Sequence, residues 1–483
     1  MAALLDFARI VGERNTITKP SELRTYECDG LAGFRVRPAV VVLPETTAQV
    51  AEAVKLARAL DLPIVPRGAG TGLSGGALPC EGCVVIGLAR MTKILGVDLA
   101  NRRMRVQPGV INLDLSRQLA PLGYYYAPDP SSQSVCTIGG NVAENSGGAH
   151  CLKYGFTVNH AVGATIVTSD GDIVAIGESA GEPDPLGYDL MGVFVGSEGL
   201  LGIVTEVVVK ILRRPQATRT IFATFPTTDE AGSAVSSIIA SGIVPAAIEM
   251  MDGLAIEAIV AATRVDWPLD VGAALLMDVD GISAEVEHTA EAARAIMQAA
   301  GAIEMRTPRD EAERELMWKG RKAAFAAMGR ISPNYYVQDG VIPRKDVAAV
   351  LREIARLGAE ANLRVANVFH AGDGNLHPLV LYDGRVAGEE AKAEHVGGEI
   401  LRVCLKYGGS VTGEHGVGHD KACYLGEQFS DDDLATMKLV RTAFDPHGIL
   451  NPEKVFPTPR LCGDKPGVYV AHPIELSGQA GRG

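Results

Sequence analysis

The sequence predicts an α+β protein of two or three domains, and three observations carry that expectation. Its 483 residues exceed what one hydrophobic core fills. Up to about Arg213-Arg214-Pro215, short β-branched runs alternate with helical stretches and Gly-rich loops. From residue 219 to 307 the order strand, helix, strand, strand, helix, strand suggests a ferredoxin-like unit.

The elements follow in order. Val40-Val41-Val42-Leu43 is a buried-strand run. Thr46 is placed to cap a helix whose apolar face is Val50, Val54, Leu56, Ala57 and Leu60. Leu62-Pro63-Ile64-Val65 is a second strand. Further strands are expected at Val84-Val85-Ile86, Met104-Arg105-Val106, Ala164 to Val167 and Val204 to Ile211. Asp170-Gly171 predicts a hairpin turn into Ile173-Val174. Beyond 219 the strands are Thr220 to Phe225, Ala247 to Met250 and Ala273 to Val279, with helices Thr228 to Ala240 and Glu285 to Ala299. Residues 310–455 mix helices with polar motifs, and a tail follows Pro457.

Composition excludes several classes. The net charge of −13 with no basic run argues against nucleic-acid binding. No apolar stretch is long enough to span a bilayer, and Met1 to Asp6 lacks the features of a signal peptide. Among eight scattered cysteines, Cys80-Glu81-Gly82-Cys83 is a lone CxxC, expected to stay reduced. A cytoplasmic enzyme is expected, with any membrane association made through partner subunits.

Three Gly-rich blocks stand out. Pro66 to Gly76 places five glycines after a strand, a backbone that can wrap an anion such as a pyrophosphate. It has neither a Walker ending nor the Rossmann spacing. The second block runs Pro128-Asp129-Pro130-Ser131-Ser132 and then Thr137 to Gly148. The third is Gly196-Ser197-Glu198-Gly199-Leu200-Leu201-Gly202-Ile203-Val204-Thr205.

Chemistry concentrates later in the chain. In His370-Ala371-Gly372-Asp373-Gly374-Asn375-Leu376-His377, a two-residue turn at Asp373-Gly374 would set His370 directly opposite His377. Opposed side chains share a sheet face, so the two imidazoles could chelate one divalent metal. Glu414 and His415 sit in a Gly-rich bend; neighbours in extended chain point opposite ways, so one could ligate while the other meets a different partner. Two histidines and a carboxylate leave open coordination positions, as in a catalytic metal site.

The three blocks, in this order, resemble the FAD-binding domain of the vanillyl-alcohol oxidase and p-cresol methylhydroxylase superfamily. With the HxGDGNxH and Glu-His motifs, the chain resembles the FAD-linked D-2-hydroxyacid dehydrogenases, and most closely their bacterial glycolate oxidase branch, over Tyr26 to Phe456. The resemblance implies a two-subdomain FAD-binding domain over 38–215 after an N-terminal segment 1–37. A ferredoxin-like substrate domain with a C-terminal helical, flavin-contacting segment covers 216–456, before the tail 457–483. It implies that FAD is held by Pro66, Arg67, Gly68, Ala69, Gly70, Thr71, Gly72, Ser74 and Gly75. Pro130, Ser131, Thr137, Gly139, Gly140, Asn141 and Asn145 serve from the second block, Gly202, Ile203 and Val204 from the third, and Asn451 from the C-terminal segment. Some superfamily members attach FAD through a histidine in the first block. Here that block has none, so FAD is expected to bind non-covalently.

By the same resemblance, His370, His377 and Glu414 are metal ligands and His415 is the general base. Zinc is put first, with manganese and iron left open. Arg321 is assigned to the substrate carboxylate, which a guanidinium can hold through two bonds. Tyr335 and Tyr336 are candidates for the wall. Family members acting on 2-hydroxyglutarate carry a lysine in the segment matching Tyr336-Val337-Gln338-Asp339; none is present here, which favours glycolate or D-lactate. No Fe–S cysteine spacing appears, so reduced flavin needs an external acceptor. Resemblance to glycolate oxidase implies a second flavoprotein-like subunit and an iron–sulfur subunit. The competing expectations are a D-2-hydroxyglutarate dehydrogenase, a metal-dependent hydrolase on the same histidines, and a non-catalytic FAD-binding subunit.

Overall fold

A computed structural model describes residues 6–178, 184 and 187–457. The expected tail therefore lies, but for Pro457, outside the described residues. The first sheet joins β1 (Thr16–Ile17), β2 (Val40–Val42), β3 (Ile64–Arg67) and β4 (Val84–Gly87) in the order β1-β2-β4-β3. β2, β4 and β3 run parallel. Their connection is helix α1 (Thr47–Ala59), capped by the Thr46 side chain, which accepts from Gln49 N at 3.2 Å. All three β2 residues are fully buried, which is why the segment is an unbroken apolar run.

The second sheet comprises β5 (Ile94–Asp98), β6 (Arg103–Val106), β7 (Ala161–Val167), β8 (Ile173–Gly177) and β9 (Ile203–Lys210), in the order β5-β6-β9-β7-β8. The expected hairpin is present between β7 and β8, but its loop is longer than two residues. The Thr168 and Asp172 backbones bond at 3.0 Å, and Gly171 takes φ +82°. Helix α2 (Ile138–Glu144) packs against this sheet through Ile138 and Val142.

The ferredoxin-like order is realised over β10 (Ala217–Phe225), α3 (Thr228–Ala240), β11 (Ala247–Asp252), β12 (Ala273–Gly281), α5 (Ser283–Ala299) and β13 (Glu304–Arg306). Sequence reading missed one further helix, α4 (Gly253–Ala262), between β11 and β12. It is nearly apolar all round, so no amphipathic period marks it. The strands stack antiparallel as β13-β10-β12-β11. Beyond β11 the sheet continues through β16 (Arg364–His370), β17 (Asn375–Leu376) and β15 (Gly340–Val341) to nine strands; β14 (Asn334–Val337) and β18 (Pro378–Tyr382) branch from β16. That extension brings the histidine motif alongside β11. Among the described residues no helix is long and apolar enough to cross a membrane.

Candidate active site

A cavity of about 400 Å³ opens between the first two sheets and the nine-stranded sheet. Pro66, Arg67, Gly68, Ala69, Gly70, Thr71 and Gly72 line it, with Pro130, Ser131, Thr137, Gly139, Gly140 and Asn141, and with Gly202, Ile203 and Val204. Gly70 shows why the first block needs glycine. Its φ is +71°, and a Cβ there would run into the Arg67 guanidinium. Four expected cofactor contacts do not line the cavity. The Ser74 carbonyl accepts from His419 N and Asp420 N, and Gly75 packs on His419. Asn145 takes a left-handed conformation to end α2, and its side chain accepts from Val158 N. Asn451 donates to the Gly76 and Glu198 carbonyls. These four shape the wall from behind it.

The far end of the cavity is walled by Glu414, His415, Lys322, Phe325 and Tyr335. Here the expected register is corrected. His370 pairs with Asn375, and Asn367 with Pro378, so His377 falls opposite Val368, not His370. The connection is wider than the two-residue turn because Ala371 N is held by the Ile248 carbonyl of β11, at 3.0 Å. A slip of two preserves the face, since strand side chains alternate with period two. The two imidazoles still meet, diagonally, with ring centroids 5.2 Å apart.

Glu414 joins them. Its Oε1 lies 3.1 Å from His370 Nε2 and 3.3 Å from His377 Nε2. The His377 side chain is 1% exposed; its Nε2 lies 3.4 Å from Asp339 Oδ1 as well, and its Nδ1 has no hydrogen-bond partner. A buried imidazole beside a carboxylate and a second imidazole, their ligand atoms all within 4.8 Å of one another, fits the donor set of a divalent metal. A rival grouping of Asp339, His377 and His415 also exists. Asp339 is already committed: its Oδ2 accepts from Thr412 Oγ1, Gly413 N, His415 N and Lys421 Nζ. It anchors the 412–415 bend, and its Oδ1, which accepts from Glu414 N, lies 3.4 Å from His377 Nε2.

That anchored bend overturns the expectation that Glu414 and His415 point opposite ways. Both face the cavity, and the His415 ring stacks on His377 at 4.7 Å with planes 11° apart. Burial pushes the His415 imidazole down to about 4, so it is neutral and able to accept a proton. Burial also opposes charge on His370, but Glu249 and Glu414 outweigh it and hold that imidazole well above its usual range. Glu414 is held well below the carboxylate range, because His370 and His377 overcome its burial.

Arg321 does not line the cavity. Its Nη2 donates to Glu249, whose other oxygen lies 2.7 Å from His370 Nδ1. The assignment to the substrate carboxylate is thus displaced toward a supporting layer: Arg321 balances the carboxylate that fixes the His370 ring. Its Nε remains unpartnered. The cation at this end of the wall is Lys322, which bonds Asp129 Oδ2 at 3.0 Å. Tyr335 lines the wall; Tyr336 turns away and donates to Asp420. Sequence reading missed Glu249 and Asp339. A signal existed for Glu249, a fully buried charge inside the apolar run of β11, where an unpaired carboxylate would be prohibitive. Cys80 and Cys83 are buried free thiols.

The Gly-walled cavity thus ends in a histidine–carboxylate cluster. The structure superposes on p-cresol methylhydroxylase with a TM-score of 0.80 at 16% identity, over 94% of this chain and 96% of that one. Residues 38–177 match the family model "FAD binding domain", and residues 214–455 match "FAD linked oxidases, C-terminal domain". The chain is 49% identical over 451 residues to glycolate oxidase subunit GlcD of Escherichia coli K12, covering 93% of this chain and 90% of the relative. It is 34% identical over 433 residues to D-lactate dehydrogenase of Anaerostipes hadrus, covering 87% and 90%. The chain belongs to the FAD-linked oxidases and is an FAD-binding oxidoreductase.

Proposed function

We propose that the protein oxidises a small 2-hydroxyacid, glycolate or D-lactate, to the 2-oxoacid. The observation that carries this reading is the convergence of His370, His377 and Glu414 with His415 at one end of the flavin cavity. Bound FAD supplies the acceptor for the hydride of the substrate α-carbon. His370, His377 and Glu414 would hold a divalent metal, zinc first among zinc, manganese and iron, which would polarise the α-hydroxyl. His415 takes the hydroxyl proton; its ring stacks on His377, one of the residues that would hold the metal. Arg321 acts through Glu249 on the His370 ring. Phe325 and Tyr335 narrow the wall around a short substrate.

Electrons then leave for a partner subunit or an external acceptor. The relatives named as subunits of glycolate oxidase support this, as does the lack of Fe–S cysteine spacing in the chain. A second flavoprotein-like subunit and an iron–sulfur subunit are the partners proposed. The test is anaerobic mixing of the FAD-loaded protein with glycolate, D-lactate, L-lactate and D-2-hydroxyglutarate. Glycolate or D-lactate should bleach the flavin fastest. Fastest bleaching by D-2-hydroxyglutarate would overturn the substrate class, and no bleaching by any of the four would overturn the dehydrogenase reading.

A further inference from the structure

Two glutamates line the flavin cavity that the reaction above does not use. Glu144 ends α2, and Glu198 lies in the third Gly-rich block. Both carboxylates flank the same two glycines. A Cβ on Gly76 would lie 2.6 Å from Glu144 Oε1 and 3.7 Å from Glu198 Oε2, and one on Gly416 would press on both as well. The absence of side chains at these two positions is what lets the carboxyl groups sit side by side. Their bonding is unequal. Glu198 accepts from Val417 N and Gly418 N, each at 2.7 Å. Glu144 Oε2 is buried with no hydrogen-bond partner.

Neither carboxylate has an ion pair among the described residues. The facing cations are committed elsewhere or deeper: Lys421 is paired with Asp339, and Lys454 bonds the Pro452 carbonyl. Asp29 and Asp339 add further negative charge nearby. Two adjoining buried carboxylates without a matched cation cannot both ionise. Burial raises Glu198 above the ordinary carboxyl range, opposed by its two N–H bonds and by Lys421 and Lys454, whereas the carbonyl end of α2 further disfavours charge on Glu144. Burial and the adjacent Glu198 hold Glu144 well above the ordinary carboxyl range.

We propose that Glu144 and Glu198 form a one-proton carboxylic acid–carboxylate pair, and that Glu144 presents its proton as a hydrogen-bond donor to the bound flavin. The inference rests on the cavity being the FAD site. Glu144 Oε2 is buried on the Gly416 and Glu198 side, so its Oε1, on the Gly76 side, is the atom that would meet the cofactor, while Glu198 stays fixed on the Val417 and Gly418 amides.

The experiment is reduced-minus-oxidised infrared difference spectroscopy on the FAD-loaded protein, with dithionite as reductant. One carboxylic acid C=O band should shift on reduction. It should vanish in Glu144→Gln and persist in Glu52→Gln, an exposed control. In parallel, Glu144→Gln keeps a donor and should hold the FAD Kd within about threefold, whereas Glu144→Leu should raise it up to roughly tenfold, the value of one hydrogen bond. A spectrum with no such band, a band that survives in Glu144→Gln, or a Glu144→Leu variant with wild-type FAD affinity would overturn the inference. Should the Leu variant fail to fold, the infrared comparison with Gln decides alone. Protein that binds no FAD would instead overturn the functional reading beneath it.

Discussion

The two ends of the cavity are built from different material. The flavin end is backbone: loops after β3 and before α2 expose amides, and small residues keep the surface close. The other end is side chain: Glu414 and His415 line it from an anchored bend, and His370 of β16 and His377 of the β17–β18 junction meet Glu414 there. A backbone site tolerates most changes except loss of glycine. A side-chain site depends on single atoms, and each atom depends on a supporting layer such as Glu249–Arg321 or Asp339–Lys421.

The contrast can be broken most forcefully at the metal cluster. His377→Ala removes one of the three proposed metal ligands and should abolish bound metal and lower kcat/KM by at least roughly a thousandfold, several kcal/mol of lost charge stabilisation. FAD should remain bound at full stoichiometry. Metal analysis and the flavin spectrum check both halves; full metal occupancy in the variant would refute the cluster.

His415→Ala should cost about a hundredfold or more in flavin reduction while keeping metal and FAD. The pH profile sharpens the assignment. A base acts when deprotonated, so kcat/KM should fall as pH drops through its pKa. Burial lowers that value to about 4, so the acid limb should lie below the ordinary imidazole range. An acid limb near 6.5 or above that is absent from His415→Ala would contradict the burial.

Arg321→Ala leaves Glu249 as an unbalanced buried carboxylate and frees the His370 ring. A loss of roughly ten- to a hundredfold in kcat/KM is expected, with metal affinity weakened as well. Arg321→Lys should recover only part of it. If metal affinity holds and only KM rises, Arg321 works on the substrate directly.

At the backbone end the effects are smaller and fall on the cofactor. Gly70→Ala forces a side chain into a φ of +71° and against Arg67. Strain of about 1–3 kcal/mol should appear as weaker FAD binding, read by fluorescence titration of the released flavin. Metal content should not change. An unchanged FAD affinity would show that the first block adjusts without glycine.

The same contrast explains what the sequence made legible. The cofactor end was visible because glycine composition after a strand is itself the structural device, and sixteen of the expected contacts line the cavity. Local features such as the Thr46 cap follow from neighbouring residues and were equally accessible. The histidine motif was visible, but its register was not: Ala371 N is captured by Ile248, more than a hundred residues earlier, and this widens the turn. The two-residue slip did no damage only because strand faces repeat with that period. Arg321 was visible as a cation, yet its partner Glu249 lies on a distant strand, so its supporting role was not. Glu144 and Glu198 carry no local mark, because only the fold brings them together, across Gly76 and Gly416.

The central claim is that the metal cluster and the flavin cavity are one active site. The direct measurement is anaerobic flavin bleaching by glycolate and D-lactate before chelation, after chelator treatment, and after zinc, manganese or iron is restored. The account predicts that chelation stops bleaching while FAD stays bound, and that one of these metals brings it back. Bleaching at an undiminished rate in fully chelated protein would contradict it.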